Sequence, residues 1–277
     1  MQLGKYQKLE IIKKVEFGVY LAESRGEEER VLLPKAQVPV NAVIGDRIEV
    51  FLYRDSKDRM IATTARPKLT LGGLAALRVS QVGKIGAFLD WGLEKDLFLP
   101  FKEQKKRVKP GEEVLVSLYL DKSNRLCATM NVYHELRTDS SYKKDDEVTG
   151  RVYEISERFG AFVAVDDQFS ALIPKKELYG KLEIGQMIDA RVTEVKEDGK
   201  LSLSIRKKAY LQIDEDAEKL REILASYENV LPFNDKVSPE IIRRETGMSK
   251  NEFKRAVGHL LKLGEIEIGE KVIRKIK

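Results

Sequence analysis

At 277 residues, 42% hydrophobic and 34% charged, the chain can build several small cores under a heavily charged surface, and its ordinary glycine and proline content excludes a disordered or low-complexity protein. Its apolar runs fall far short of the about 18 residues that span a bilayer, and Met1–Lys8 lacks the apolar core of a secretory signal. A single cysteine, Cys127, excludes an internal disulfide, so a cytoplasmic protein with no membrane partner is expected.

In chain order, the first segment carries an aromatic-glycine turn, Phe17-Gly18-Val19-Tyr20-Leu21. It continues with Leu32-Leu33-Pro34-Lys35, Ile44-Gly45-Asp46 and the closing Met60-Ile61-Ala62-Thr63. The second repeats the order with Ile85-Gly86-Ala87-Phe88-Leu89, Phe98-Leu99-Pro100-Phe101-Lys102, Pro110-Gly111-Glu112 and Leu126-Cys127-Ala128-Thr129. The third has Phe159-Gly160-Ala161-Phe162-Val163, Leu172-Ile173-Pro174-Lys175, Ile184-Gly185-Gln186 and Leu201-Ser202-Leu203-Ser204. The turn glycines Gly18, Gly86 and Gly160 lie 68 and 74 residues apart, a period that suits a small complete domain and not a solenoid repeat. Within a copy, Val148, Gly150 and Val152 alternate with polar residues, as do Ala190 and Val192. Five short strands per copy with no long helical period predict a closed antiparallel barrel, since closure removes the edges so small a sheet would expose.

After Arg206-Lys207-Lys208 the period changes to about 3.6. Ala217, Leu220, Ile223, Leu224 and Tyr227 line one face of a predicted helix. Ser238 before Pro239-Glu240 opens a short second helix ending near Gly247, and the capping box Ser249-Lys250-Asn251-Glu252 opens a third. Phe253, Ala256, Val257, Leu260 and Leu261 form its predicted inner face. Glu265–Ile268 then pairs with Lys271–Ile276 as a hairpin, completing a winged helix. The fold class is therefore multidomain and mainly β: barrels at 1–66, 67–138 and 139–208, then an α+β winged helix at 209–277. Residues 243–277 hold ten Lys/Arg against five Glu, which matches the whole formal charge of +5 and suggests a polyanion partner. Lys250, Lys254, Arg255, His259 and Lys262 form the predicted nucleic-acid-facing side of the third helix, with phosphate contact expected over base readout.

No catalytic site is expected. Only His134 and His259 are present, neither spaced with Cys127 for metal or nucleophile chemistry, and no phosphate-cradling Gly-x4-Gly-Lys motif occurs. The acid pairs Asp145-Asp146 and Asp166-Asp167 are expected to be solvated turn residues. No cofactor or metal is expected.

The string from Glu147 to Arg206, with Gly150, Phe159-Gly160-Ala161-Phe162-Val163, Leu172-Ile173-Pro174, Ile184-Gly185-Gln186 and Leu201-Ser202-Leu203-Ser204, resembles the S-one RNA-binding domain, an OB-type barrel. Three such modules plus a winged helix resemble the conserved virulence factor B family of bacterial RNA-binding regulators, with Leu89–Leu97 and Met248–Ala256 as supporting strings.

The resemblance implies binding of single-stranded RNA on the face of the second and third strands, where base stacking on aromatics is worth about 1–3 kcal/mol each. It places the stacking side chains at Phe17 and Tyr20, at Phe88, and at Phe159 and Phe162. The cationic position falls on Arg59, Arg125 and Lys200; its acidic partner falls on Asp55 and Asp121, and on Lys196 in the third copy. The histidine of that family is replaced by Pro34, Pro100 and Pro174, and the second copy has Ile85 where the first aromatic would sit, so each barrel is expected to bind weakly and the array to act through effective concentration. A packing role at the barrel end is the alternative reading of the turn aromatics, Phe17 more than Phe159. The basic loop Lys102–Lys109 offers further cations or a solvated surface. A post-transcriptional regulator is the leading expectation, with duplex nucleic acid or ribosome as further partners through the winged helix; a winged-helix DNA-binding transcription regulator, or a ribosome- or protein-docking adaptor, are the alternatives.

Overall fold

The computed structural model describes residues 1–178, 181–205 and 209–276, so the expected junction at 208/209 lies outside the described residues. These residues divide into two compact units, one ending at Ile205 and the other beginning after it.

Among the described residues the first unit holds three closed barrels of identical topology. The first is built from β1 (Tyr6–Val15), β2 (Gly18–Ala22), β3 (Val31–Pro34), β4 (Arg47–Arg54) and β5 (Met60–Thr63). The second has β6 (Leu74–Val82), β7 (Gly86–Asp90), β8 (Leu97–Pro100), β9 (Glu113–Leu120) and β10 (Leu126–Thr129). The third has β11 (Glu147–Ser156), β12 (Gly160–Val165), β13 (Phe169–Pro174), β14 (Met187–Val195) and β15 (Leu201–Ser204). In each, the fifth strand pairs parallel with the third and antiparallel with the fourth, which closes the cylinder.

The repeated motifs are repeated solutions to backbone problems. At Gly160 (φ +120°) a Cβ would stand 2.1 Å from the Ile173 carbonyl oxygen, and at Gly18 one would stand 2.1 Å from that of Leu33, so only glycine lets the turn cross the end of the third strand. The proline that ends that strand is extended and starts a 3-10 turn. The amide after it donates to the carbonyl of the preceding turn residue: Lys35 to Phe17 (3.0 Å), Phe101 to Ile85 (3.2 Å) and Lys175 to Phe159 (3.0 Å). The last residue of each 3-10 turn then ties to the end of the fifth strand. Thr63 donates to Gln37 (2.6 Å), Thr129 to Glu103 (2.7 Å) and Ser204 to Glu177 (2.9 Å).

The first strand of each barrel carries a bulge, between Ile11 and Lys13, Val79 and Gln81, and Val152 and Glu154. Lys13, Gln81 and Glu154 consequently lie opposite Tyr20, Phe88 and Phe162, so each bulge sits beside a candidate stacking ring.

The barrels share cores where they meet. Phe51 and Tyr53 of β4 join the apolar core of the second barrel. Trp91 packs edge-on against both, with ring centres 5.8 and 6.5 Å apart. Its indole N–H donates to the Lys95 carbonyl (2.7 Å), and the Lys95 ammonium reaches the Asp55 carbonyl (2.9 Å). Between the second and third barrels, Leu115, Val132, Leu136, Tyr153 and Ala164 form another buried cluster. Arg151 is buried beside it, held by Asp167 at 2.9 and 3.0 Å and lying 3.7 Å from Glu113. Asp167 is thus a structural partner, not the solvated turn residue expected. Asp145 and Asp166 are likewise engaged, by Arg191 and by the Tyr142 hydroxyl.

In the second unit, α1 (Ala209–Ser226), β16 (Val230–Leu231), α2 (Pro239–Thr246), α3 (Lys250–Lys262), β17 (Ile266–Ile268) and β18 (Ile273–Lys275) form a winged helix with sheet order β16-β18-β17. Ser238 caps α2, Gly247 (φ +67°) ends it, and the Ser249/Glu252 capping box opens α3. Leu261 does not face inward as expected. It is 46% exposed, because Phe253, Ala256, Val257 and Leu260 already complete the buried stripe. Among the described residues, no helix is long and apolar enough to cross a membrane.

Trp91→Ala should remove the ring shared by two barrel cores and cost about 3 kcal/mol. A fall in the urea midpoint of unfolding checks this; an unchanged midpoint would show that the junction carries no stability.

Candidate nucleic-acid interface

The turn and strand geometry leaves one exposed side chain at the turn and one half-buried side chain on the outer face of the second strand of every barrel. In the third, Phe159 is 52% exposed at the turn, with the Arg158 guanidinium 5.1 Å from its ring centre. Half-buried Phe162 lies 6.4 Å away at 68°. In the first, Phe17 is 58% exposed, and half-buried Tyr20 carries the Arg30 guanidinium 5.0 Å from its ring centre. In the second, Ile85 takes the turn position at 69% exposed. Phe88 pairs directly across the strands with Phe98, ring centres 5.4 Å apart. Phe98, Phe101 and Tyr119 line a groove there, edged by Ile85, Lys102, Asp121 and Arg125. Phe98 and Tyr119 were not expected at the site; the signal for Phe98 was its place between the inward Leu97 and Leu99.

The cationic positions are built on matching hairpins. Asp55 accepts the amides of Lys57 and Arg59 (both 2.9 Å) and two guanidinium N–H groups of Arg59 (3.0 and 2.7 Å). Asp121 likewise accepts the amides of Ser123 and Arg125 (2.8 and 3.0 Å) and the Arg125 guanidinium (3.2 and 2.9 Å). Desolvation pushes the Asp121 carboxyl up, but the hydrogen bonds from Arg125 and Ser123 outweigh it and hold the group below its ordinary range. In the third barrel Lys196 occupies the equivalent backbone position, its amide donating to the Lys200 carbonyl (2.9 Å), and its side chain is exposed. The Lys200 ammonium pairs instead with Asp198 (2.8 Å).

The basic loop Lys102–Lys109 is not a free solvated run. Lys105 pairs with Glu154 of the third barrel (2.7 Å), Arg107 stacks on Phe101 with its guanidinium 4.1 Å from the ring centre, and Val108 is buried.

On the winged helix, Lys254 and Lys262 are exposed and His259 is half-buried. Lys250 donates to the Val237 carbonyl (3.1 Å). Arg255 donates to buried Asp216 on α1 at 2.9 and 2.8 Å, so it braces α3 against α1.

Cys127 is buried, and desolvation first among the causes pushes its thiol up to about 11, so it is protonated at neutral pH and no ready nucleophile. Among the described residues, no group of three His, Cys, Asp or Glu side chains is placed to hold a metal ion.

Comparison with known proteins follows the same division. The family described as S1 domain matches residues 3–65 and 71–131, the S1 RNA binding domain matches 141–206, and the CvfB-like winged helix domain matches 218–274. The chain is similar to YitL of Bacillus subtilis, 31% identical over 96% of this chain and 91% of that protein. It is also similar to conserved virulence factor B of Staphylococcus saprophyticus, 27% identical over 94% and 90%. A crystal structure described as a multidomain protein with nucleic acid binding domains from Streptococcus pneumoniae matches with a TM-score of 0.53 at 25% identity, over 99% of this chain and 98% of that one. S1 domains with a winged helix suggest nucleic-acid binding, and these matched families are binding domains, not enzymes.

Two outcomes follow from the electrostatics. Asp121 has a lowered native pKa, so its pairing contributes stability above the ordinary carboxylate range, and this fades as pH falls through the native value. Asp121→Asn should therefore flatten part of the acid-side loss of thermal stability as pH falls below the ordinary carboxylate value of about 4, relative to wild type. An unchanged acid limb would mean the pair contributes nothing. Arg255→Gln strands the buried Asp216 carboxylate and should destabilise the winged helix by on the order of 2 kcal/mol, whereas Lys254→Gln should not. Equal melting temperatures for the two variants would contradict the bracing role.

Proposed function

The chain belongs to the conserved virulence factor B family, and we propose that it binds single-stranded RNA through its barrels, with help from the winged helix, as a post-transcriptional regulator of gene expression in the cytoplasm. The observation that carries this is the threefold recurrence of an exposed side chain at the turn, a half-buried aromatic beside it and a cation at the rim. An aromatic half-buried on the outer face of the second strand offers a face to an unstacked base, which a duplex does not present. Each mouth is small and lacks the histidine at Pro34, Pro100 and Pro174, so useful affinity comes from tethering several weak sites on one strand. Phe17, Tyr20, Phe88, Phe159 and Phe162 supply the stacking; Arg59, Arg125, Lys196 and Lys200 supply the cations, with Asp121 holding Arg125 in place. Units 1–66, 67–138, 139–208 and 209–277 act as the four modules.

Lys254 and Lys262, with His259 beside them, are the candidates for phosphate contact on α3, whereas Lys250 and Arg255 serve the domain's own packing. This division favours the winged helix as an auxiliary contact over a DNA-reading or adaptor domain.

Phe159→Ala with Phe162→Ala should weaken binding of the whole chain to a single-stranded RNA by about tenfold or more, since two stacking faces are lost, while the barrel stays folded. Competition by single-stranded DNA and duplex DNA should be weaker at every salt concentration. Unchanged affinity in the folded double variant, or preferred binding of duplex DNA, would overturn the proposal.

A further inference from the structure

The segment between the second and third barrels is more than a tether. Val132 is fully buried and Leu136 nearly so, both in the cluster with Leu115, Tyr153 and Ala164. A turn closes between them, the Glu135 amide donating to the Val132 carbonyl (3.0 Å). Two apolar anchors four residues apart thus pin the ends and thrust out the residues between. Tyr133 is 41% exposed, and its ring is in contact on two sides: it meets Phe162 edge-on, centres 6.1 Å apart at 86°, and the Lys200 ammonium lies 5.6 Å from its centre. His134 stands 5.2 Å from Tyr133 at 89°. The segment is also clamped further on, where Gly199 beside Lys200 passes so close to Thr138 that a Cβ would stand 2.0 Å from the Thr138 carbonyl oxygen.

At its other end the segment reaches the second barrel. Asn131 donates to Glu103 (3.2 Å), in the 3-10 turn whose Phe101 and Lys102 line the groove of that barrel. Asn131, Tyr133, His134 and Phe162 line one open groove together with the paired Lys105 and Glu154. The aromatic surface therefore runs from Phe159 to Phe162 and onto Tyr133, and Asn131 links it to the 3-10 turn of the second barrel.

We infer that Tyr133, with His134 and Asn131, forms a linker-borne subsite for an unpaired RNA base, which makes the faces of the second and third barrels one continuous single-strand path. Tyr133 adds a ring that the barrel fold itself does not carry, in a module whose histidine position holds Pro174. A base stacked on it has beside it Lys200, whose Asp198 partner a phosphate would have to replace. The inference rests on the single-stranded RNA reading above.

The test uses the full chain and a uridine-rich single-stranded RNA long enough to span two barrels. Tyr133→Ala should bind about fivefold or more weakly with an unchanged melting temperature, and Tyr133→Phe should bind as wild type, because the ring and not the hydroxyl is used. Ultraviolet crosslinking of the wild-type complex, mapped by mass spectrometry, should place adducts within residues 131–134 as well as at Phe159 or Phe162; this arm needs no variant to fold. Wild-type affinity for Tyr133→Ala, or adducts on Phe159 and Phe162 with none on 131–134, would overturn the subsite and leave the RNA proposal standing. Wild-type affinity for both Tyr133→Ala and the Phe159→Ala/Phe162→Ala double variant would overturn the RNA proposal as well.

Discussion

The close crossing of the aromatic-glycine turn over the end of the third strand is the constraint on which the barrel surface depends. Where Gly160 passes the Ile173 carbonyl there is no room for a side chain, and the same holds where Gly18 passes Leu33. The crossing brings the residue before the glycine within reach of the amide after Pro34, Pro100 or Pro174, and that hydrogen bond fixes its backbone. A residue so held, with its glycine neighbour buried beneath it, has nowhere to place its side chain but outward. Exposed Phe17, Ile85 and Phe159 are therefore consequences of closing a small barrel, and a bulge in the first strand lies beside a second, half-buried ring, Tyr20, Phe88 or Phe162.

The second constraint is that each barrel alone has a small core. Sharing side chains across the junctions offsets this: Phe51 and Tyr53 with Trp91 on one side, Tyr153 and Ala164 with Leu115 on the other. Shared cores also limit how far neighbouring mouths can swing apart. A strand held at one mouth then finds the next at high effective concentration, which makes weak sites useful.

The barrels were legible in the sequence because their hardest backbone problems are solved locally. Glycine at the turn, proline at the strand end and the helix caps Ser238 and Ser249 announce themselves by type and spacing. Side chains whose environment is set by another barrel were not legible. The period-two reading of β11 assumes one wet face, yet Arg151 and Tyr153 on its outer side are buried because the second barrel covers them. Asp167 read as a turn residue since its partner lies sixteen positions away. Arg255 matched its basic neighbours on a helical wheel, and only the fold reveals Asp216 beneath it. Tyr133 fell outside the repeat; the buried pair Val132 and Leu136 was the one trace of its placement.

In the proposed function, several weak barrel faces hold one strand together. Titrating the full chain with homopolymeric single-stranded RNAs of increasing length tests it most directly, since one barrel of this type covers roughly 4–16 nucleotides. Affinity should climb steeply once the RNA is long enough to leave one mouth and enter the next, then level off when the array is filled. An affinity that reaches its full value on an RNA only long enough for one barrel would contradict the account.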